Sequence, residues 1–489
     1  MTAIAKRRTR RTIAAVTAAI GLVIVAAVLF TVGVVTLSNS QEGEAVGVDD
    51  RPRVTFPSTP NALLAVTDDA GRLASVVVMT LLPEGQGGSI VTIPVNADAT
   101  AGFGQQRRPL DEFFDPDSPD EFVVAVEDML SIGIELSAVV DPAGLEAILQ
   151  PFESVQVVLP DAVVDSDASD GTRPTSTVPD DSLPGDPVPE ESLPDDTLVD
   201  VPGGSVPDGS EAGDGSSSDP VVEEAVGVDG IVFSAGPQIL GPAEVVEVLT
   251  AIDESVPAYQ QHPLDVEMWS AIAGLAPLQI PPEPVATDGE GRPVPPTSVE
   301  ELASSLFAGE VGVRDLAATP PISGTNPTDA DVVVLDRSDV VLVFAQISPS
   351  LVSTPNTGLK MRIESQFDEA QLAATDGLIE SNSDVARELI GRLLFLQANV
   401  VSVDTTASGA PDLTIVEVVD PRLLEESIRA SEILFGPSEV RLATTVLEGV
   451  DIVVTLGTPY LEREVDHDDG AAGLVPDDTA PASTVDGDG

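Results

Sequence analysis

Three apolar segments between Asn61 and Val95 give the chain its clearest pattern. Turn-forming residues bound each segment and the second is rich in β-branched side chains, so they predict three strands: Asn61–Thr67, Ala74–Leu82 and Ser89–Val95. A strand that is buried on both faces is a continuous apolar run rather than an alternating one. The segment Val76–Leu82 is therefore predicted at the centre of a sheet that helices cover on both faces.

Helical and extended patterns alternate after these strands. Ser118, Pro119 and Glu121 have the spacing of a helix start, with a capping serine, a first-turn proline and a capping-box glutamate. The other elements predicted up to residue 347 are strands Ser137–Val140, Ser154–Leu159 and Val228–Phe233, helices beginning at Asp141, Leu240, Asp265 and Ser298, and a hairpin of Val332–Leu335 with Val340–Ile347. The alternation is typical of a layered α/β domain, which we place at residues 59–347.

A second, smaller α/β pattern occupies residues 348–463. It predicts four strands and two helices, the first helix capped by Ser383-Asp384 and the second running from Asp420 to Phe435, where Gly436 ends it. The strands are Leu359–Ile363, Val400–Val403, Leu413–Val419 and Ile452–Leu456. Residues 464–489 are predicted to be a disordered acidic tail.

The N-terminal residues have the pattern of a membrane anchor. A basic cluster at Lys6–Arg11 precedes the uncharged apolar segment Ile13–Leu37. As a helix this segment is about 37 Å long, enough to cross a hydrocarbon core of roughly 30 Å. The basic flank predicts a cytoplasmic N-terminus, so residues 1–40 form the tail and anchor, residues 41–58 a stalk, and the bulk of the chain is extracytoplasmic. A cleaved signal peptide is the alternative.

Residues 161–222 interrupt the first domain with Pro, Asp, Ser, Gly and Glu and few bulky apolar side chains. Such a segment cannot bury enough surface to offset the entropy of ordering it, so it predicts a disordered insertion. The stretch Asp165–Gly171 lacks the sixth-position glycine and twelfth-position glutamate of a calcium-binding loop, and we interpret it as a solvated spacer.

The charge of the chain narrows its possible partners. There are 22 Lys and Arg against 82 Asp and Glu, a formal net charge of −60, although 42% of residues are apolar and suffice for folded cores. Such a surface repels nucleic-acid phosphates, so we exclude nucleic acid as a partner. The absence of cysteine excludes thiol nucleophiles and zinc-thiolate sites, and His262 and His467 are the only histidines.

The first domain resembles the LytR-CpsA-Psr (LCP) family. Asp68 stands where that family has its first acid, Arg72 where it has its first arginine, and Ile93-Pro94 where its third motif begins. The resemblance implies an LCP-like α/β/α layered domain with a central mixed sheet.

The second domain resembles the LytR C-terminal domain, which is often found after LCP domains. Leu456, Gly457 and Tyr460 match its final strand, the Leu-Gly pair and the aromatic that follows.

The family's cationic residues are missing from this chain. Ala74 stands in place of the second acid, Val95 in place of a third-motif arginine, and Leu249 and Ala251 in place of a later arginine pair. No Lys or Arg occurs anywhere between residues 173 and 292.

LCP proteins are membrane-anchored phosphotransferases that attach lipid-linked glycopolymers to the cell wall. That reaction requires a cationic clamp for a pyrophosphate and acids that hold a divalent metal. The resemblance leaves Asp68 and Arg72 as vestigial catalytic candidates, and Asp68 with Asp69 as candidate ligands for Mg²⁺ or Mn²⁺ if the site is active; otherwise we expect no cofactor. The competing interpretation is a simple turn at Asp68, Asp69 and Gly71, with Arg72 paired to it on the surface.

Two other groups of residues are candidate sites. Arg107 and Arg108 follow a glycine-containing loop and suggest a groove, although a solvated loop is the simpler interpretation. Trp269, with His262 and Tyr259 nearby, suggests a sugar-stacking surface, although an aromatic on the apolar face of a helix usually belongs to a core.

The favoured hypothesis is a non-catalytic scaffold or binding protein of cell-envelope assembly. The enzymatic alternative is an active phosphotransferase with a rebuilt site, and a transcriptional regulator is a weaker third. The expected partners are the cytoplasmic membrane, through the N-terminal helix, and a polyprenyl-linked glycan, peptidoglycan or another envelope protein.

Overall fold

A computed structural model describes residues 50–100, 107–166, 231–281, 284–320, 331–352, 358–375 and 377–464. By their contacts these residues fall into two units: a small one of residues 50–54 and 444–446, and a large one with all the others. In the small unit the Val446 N–H donates to the Pro52 carbonyl over 2.8 Å. The large unit contains both predicted α/β regions.

Strands and helices alternate along the large unit. The strands of the described residues are β1 (Arg53–Val54), β2 (Asn61–Thr67), β3 (Leu73–Leu81), β4 (Gly88–Ile93), β5 (Leu136–Val140), β6 (Val155–Leu159), β7 (Val163–Val164), β8 (Ile231–Phe233), β9 (Gly236–Leu240), β10 (Val311–Asp315), β11 (Ala318–Thr319), β12 (Val334–Leu335), β13 (Lys360–Glu364), β14 (Asn399–Asp404), β15 (Thr414–Val418), β16 (Ser438–Leu442), β17 (Val446–Leu447) and β18 (Ile452–Thr455). The α-helices that lie wholly within the described residues are α1 (Asp120–Leu130), α2 (Pro142–Leu149), α3 (Pro242–Thr250), α4 (Ala258–Gln279), α5 (Val299–Phe307), α6 (Arg337–Ile347), α7 (Glu369–Ala373), α8 (Asn382–Phe395) and α9 (Leu424–Phe435).

A five-stranded mixed sheet forms the centre of the first region, in the order β10-β4-β3-β2-β5. Strand β3 is antiparallel to β2 and β4, whereas β10 is parallel to β4 and β5 is parallel to β2. The middle position of β3 confirms the prediction from its continuous apolar run. All of its residues except Ala74 are buried.

Helices cover both faces of this sheet. On one face Leu64, Val77 and Met79 belong to a core that also includes residues of helices α2 to α5. On the other face Leu63 and Val78 belong to a core that includes residues of α1 and α6. Successive residues of a strand point to opposite faces, so the same strands supply both cores. The first region is therefore an α/β/α layered structure with a central mixed sheet.

The second region is built on another five-stranded mixed sheet, in the order β14-β13-β18-β15-β16. Strand β15 is antiparallel to β18, and the other neighbours are parallel. Helices α8 and α9 supply residues to the core of this region. Gly457 follows β18 where a Cβ would overlap the backbone of Leu413 and Thr414, so only glycine fits this close approach.

Helix α6 contributes to the cores of both regions. Its Val340, Val343 and Phe344 belong to a core of the first sheet, whereas Leu342 and Ala345 belong to the core of the second. The domain boundary at residues 347 and 348 stays a prediction.

The predicted hairpin of Val332–Leu335 with Val340–Ile347 is wrong. Residues Arg337–Ile347 form α6, and Asp336, expected in the hairpin turn, is its N-cap and accepts a hydrogen bond from the Ser338 N–H over 2.8 Å. The short strand Val334–Leu335 pairs instead with Ala318–Thr319. A continuous apolar run does not distinguish a strand from a helix that is buried on several sides.

Two predicted helix caps also differ. Helix α8 is capped two residues earlier than expected, because Ser381 rather than Ser383 accepts from the Asp384 N–H, over 3.2 Å. Helix α1 begins at Asp120 after Pro119, without a capping hydrogen bond from Ser118.

The start of the predicted disordered insertion is structured. Residues 161–166 include β7, which pairs with β8, and the Ser166 N–H donates to the Ile252 carbonyl over 3.0 Å. Residues 167–222 lie outside the described residues.

The predicted acidic tail after Glu464 and the membrane anchor at Ile13–Leu37 also lie outside the described residues. Among the residues that are described, no helix has the length and apolar character needed to cross a membrane.

Candidate functional site

Several polar residues meet at one edge of the first sheet. Strands β2, β4, β5 and β10 all run in one direction and end at this edge, while β3 begins there. Ligands of α/β sheets bind outside the carboxyl ends of the strands, because loops and helix ends converge there. The edge therefore contains the predicted Asp68–Arg72 turn, together with Ser75 on β3 and Asp315 at the end of β10.

The carboxylate of Asp68 is occupied by its own turn. Its Oδ1 accepts hydrogen bonds from the backbone N–H of Ala70 at 3.0 Å and of Arg72 at 2.7 Å. Its Oδ2 accepts from the Arg72 Nε at 2.7 Å, and only 8% of the residue is exposed. Asp68 thus works as an Asx-type turn residue that also fixes the arginine side chain.

Arg72 is held between two carboxylates. Its Nε donates to Asp68, and its Nη1 donates to Glu254 Oε1 over 2.7 Å. The structure therefore brings together the two predicted candidates, Asp68 and Arg72, and it adds an acid that the sequence did not indicate. A guanidinium paired in this way is already largely neutralised for an incoming anion.

The predicted metal ligands do not form a metal cluster. Asp69 is an exposed residue of the turn, and Asp68 has the partners described above. Across the described parts of the chain, no group of three or more His, Asp or Glu residues is arranged to hold a metal ion.

The residues at the positions that the resemblance aligns with the family's arginines lie in or against apolar cores. Leu249 is 1% exposed and belongs to the core that α3 forms with the sheet, and Ala251 packs against the same core. Val95 is half-buried against the core on the other face. Replacing Leu249 by a cation would bury a charge in this core.

Arg107 and Arg108 are engaged locally. Arg107 Nη1 donates to Asp98 Oδ2 over 2.9 Å, and Arg108 Nε donates to Glu112 Oε2 over 3.0 Å. The Arg108 guanidinium also lies 4.1 Å from the centre of the Phe113 ring. Both arginines therefore pair with acids that are close to them in the sequence, and they do not form a cationic clamp with Arg72.

Helix α4 places a titratable group, Asp265, at this edge of the sheet. The sequence did not single this residue out. His262 Nε2 lies 2.9 Å from Asp315 Oδ1, and Asp265 follows one turn later on the same helix. Burial raises the pKa of Asp265 to about 7, while the charge of His262 and a hydrogen bond with Ser75 lower it. A carboxyl group that titrates near neutrality can transfer protons, which makes Asp265 a candidate acid or base.

Trp269 belongs to the core. It is fully buried, and its indole Nε1 donates to the Ser75 Oγ over 3.4 Å. The sugar-stacking interpretation is therefore wrong for Trp269, because no face of its ring reaches the surface. Taken together, the edge offers two acids around one histidine, and its arginine is already paired.

No protein-family model matches this chain, and no curated protein matches it. Among solved structures, TagV of Bacillus subtilis resembles it over 61% of this chain and 100% of TagV, at 13% identity and a TM-score of 0.35. A LytR-Csp2A-Psr enzyme from Actinomyces oris is similar over 59% of this chain and 94% of its own length, at 12% identity and a TM-score of 0.30. TagT of Bacillus subtilis is similar over 58% of this chain and 88% of its own length, at 13% identity and a TM-score of 0.32.

LCP proteins are among the solved structures that this chain resembles. At these TM-scores the likeness carries no argument about chemistry.

Proposed function

We propose that the chain is a non-catalytic scaffold or binding protein of cell-envelope assembly with an LCP-like domain. The observation that carries the proposal is the state of the one candidate arginine at the sheet edge. Arg72 is bonded to Asp68 and to Glu254, both at 2.7 Å. Phosphoryl transfer from a pyrophosphate needs preorganised positive charge where negative charge develops, and the aligned positions Leu249 and Ala251 lie in or against the core.

The test is a transfer assay on the full chain in detergent. A lipid-pyrophosphate-linked glycan is the donor, peptidoglycan is the acceptor, and Mg²⁺ or Mn²⁺ is supplied. We expect no transfer above background, while an active LCP enzyme under the same conditions serves as the positive control. Turnover that disappears in Arg72→Ala would overturn the non-catalytic proposal.

The second candidate function is a phosphotransferase with a rebuilt site, and one observation favours it. Asp265 has a pKa of about 7 and lies at the same edge as Ser75 and His262. If the assay shows turnover, loss of activity in Asp265→Asn with retained activity in Arg72→Ala would assign the chemistry to this acid. A transcriptional role is disfavoured by the net charge of −60.

The proposed location is the outer face of the cytoplasmic membrane, and the support is the basic flank and apolar run at residues 6–37. Protease added to intact cells should then remove the second α/β region. Full protection of that region would contradict this location.

A further inference from the structure

An open groove lies in the second region, between the start of α6, helix α8 and the end of α9. Its volume is about 770 Å³. Three large apolar side chains on its lining are exposed: Phe395 at 89%, Ile433 at 79% and Leu396 at 53%. Single exposed apolar side chains are ordinary on a protein surface, whereas a cluster of them in one place marks an interaction surface. We call this surface the α8–α9 groove.

The charges of the α8–α9 groove are balanced. Among the described residues, its lining contains three carboxylates and three arginines: Asp336, Asp384, Glu388, Arg387, Arg392 and Arg463. The chain as a whole has 82 acidic residues against 22 basic ones, so two copies of it repel each other on average. A strongly charged partner gains no net attraction from a balanced surface, whereas a second copy of this chain can approach it there without net repulsion.

The arginines of the groove already have partners within the chain. Two of them have two carboxylate partners each: Arg387 pairs with Asp384 and Asp339, and Arg392 with Glu388 and Glu464. Covering a charge that keeps its own ion pair is less costly than covering an unpaired one. Contact with a second copy therefore leaves neither arginine without a carboxylate, and the apolar side chains can supply the attraction.

The same surface contains a projecting side chain and a recess. Phe395 is the most exposed large apolar side chain of the described residues, and it lies at the end of α8 on the lining of the groove. In a dimer with two-fold symmetry the same patch of both copies meets, so a side chain that enters a recess does so twice. A projecting aromatic beside a recess meets this requirement, and aromatic side chains are common anchors of interfaces.

We propose that the α8–α9 groove is the interface of a two-fold symmetric dimer of this chain. Phe395 of each copy lies in the groove of the other, against Ile433 and Leu396. A standard interface buries about 800 Å² per partner, of which three apolar side chains of this size supply roughly half. The dimer is therefore weak, with a dissociation constant on the order of micromolar. It forms whether or not the first region is catalytic.

Sedimentation velocity of the full chain in detergent, over about 1 to 100 µM, measures the dissociation constant. Phe395→Ala should raise it by about tenfold or more, because the variant removes the contact from both copies. Leu278→Ala is the matched control, since Leu278 lies near the end of α4, is 79% exposed and should not affect the dimer. A chain that stays monomeric over this range, or equal dissociation constants for the two variants, would overturn the proposal.

A photo-crosslinker identifies what lies in the groove. The full chain carries p-benzoylphenylalanine in place of Phe395 and is irradiated as an equal mixture of unlabelled and heavy-isotope-labelled copies. We expect linked peptides that join position 395 of one copy to the segment around Ile433 of the other, with one light and one heavy member. The same group in place of Leu278 should give such mixed pairs about tenfold less often or rarer still, because only random collision produces them. Links confined to one chain would overturn the proposal and assign the groove to that chain's own residues.

Discussion

Asp68 and Arg72 make unequal contributions to the turn at the sheet edge. Asp68 accepts two backbone N–H groups as well as the arginine. Asp68→Ala leaves those N–H groups without their acceptor, so it should lower the free energy of unfolding by about 1–3 kcal/mol. Arg72→Ala removes only partly exposed ion pairs and should cost less than about 1 kcal/mol. Urea denaturation of both variants measures the difference.

The comparison of the two losses in free energy of unfolding shows which of the two residues organises the turn. A larger loss for Arg72→Ala than for Asp68→Ala would show that the arginine, and not the turn, organises this edge.

Asp265 should make stability depend on pH in the direction opposite to an ordinary ion-paired carboxylate. Its folded-state pKa of about 7 is above the value of the unfolded chain. The stability that its protonated form contributes is therefore fully present below about pH 4 and is lost as the pH rises through about 7. In Asp265→Asn this loss should be absent.

The measurement is the difference in free energy of unfolding between Asp265→Asn and the wild type. Between about pH 5 and pH 8, this difference should shift in favour of the variant by on the order of 1–3 kcal/mol. Asp315→Asn is the control that changes the exposed partner of His262 and keeps Asp265. A difference that does not change with pH would show that Asp265 is ionised in the folded protein throughout.

The sequence predicted the local part of this site and missed the long-range part. Asp68 and Arg72 are four residues apart in one turn, so their pairing follows from turn chemistry. His262 and Asp315 are 53 positions apart, and Trp269 and Ser75 are 194 apart. Only the packing of α4 across the sheet brings such residues together, and no local pattern encodes it.

At the level of elements, the failure at α6 has a physical cause. The run from Val340 to Ala345 is apolar and rich in valine, which favours a strand by composition. Its 11-residue helix is buried on two sides because it packs into two cores, so no polar face interrupts the pattern. Amphipathic helices such as α5, with a capping serine and a single buried face, were predictable for the opposite reason.

The N-cap of α8 is Ser381 in the structure, whereas the sequence predicts Ser383. Two single variants distinguish these positions. Ser381 Oγ accepts from the Asp384 N–H, whereas Ser383 lies within the helix. Ser381→Ala should therefore lower the free energy of unfolding by about 1 kcal/mol, while Ser383→Ala should change it by less than about 0.5 kcal/mol. The converse result, with Ser383→Ala the more damaging variant, would place the cap where the sequence alone suggests it.

On the scale of the whole molecule, the alternation of strands and helices was sufficient to predict two α/β regions, and the continuous apolar run of β3 was sufficient to predict its central position. It did not predict how the regions are joined. The join is made by α6, and it is reinforced by Asp339, which accepts from the Ala317 N–H at 2.9 Å and from Arg387 Nε at 3.1 Å. Asp339 is only 5% exposed, so its charge depends on these partners.

This shared helix predicts that the two regions unfold together. Trp269, the chain's single tryptophan, lies in a core of the first sheet, and Leu389 lies in the core of the second. Leu389→Ala should cost about 2–5 kcal/mol through the cavity that it leaves. Because α6 packs into both regions, the urea transition reported by Trp269 fluorescence should move to lower concentration. Ile428→Ala, at a position 53% exposed on α9, is the control and should leave the transition in place. An unmoved Trp269 transition, with an earlier separate step in the far-UV circular dichroism of Leu389→Ala, would show that the regions unfold independently despite the helix they share.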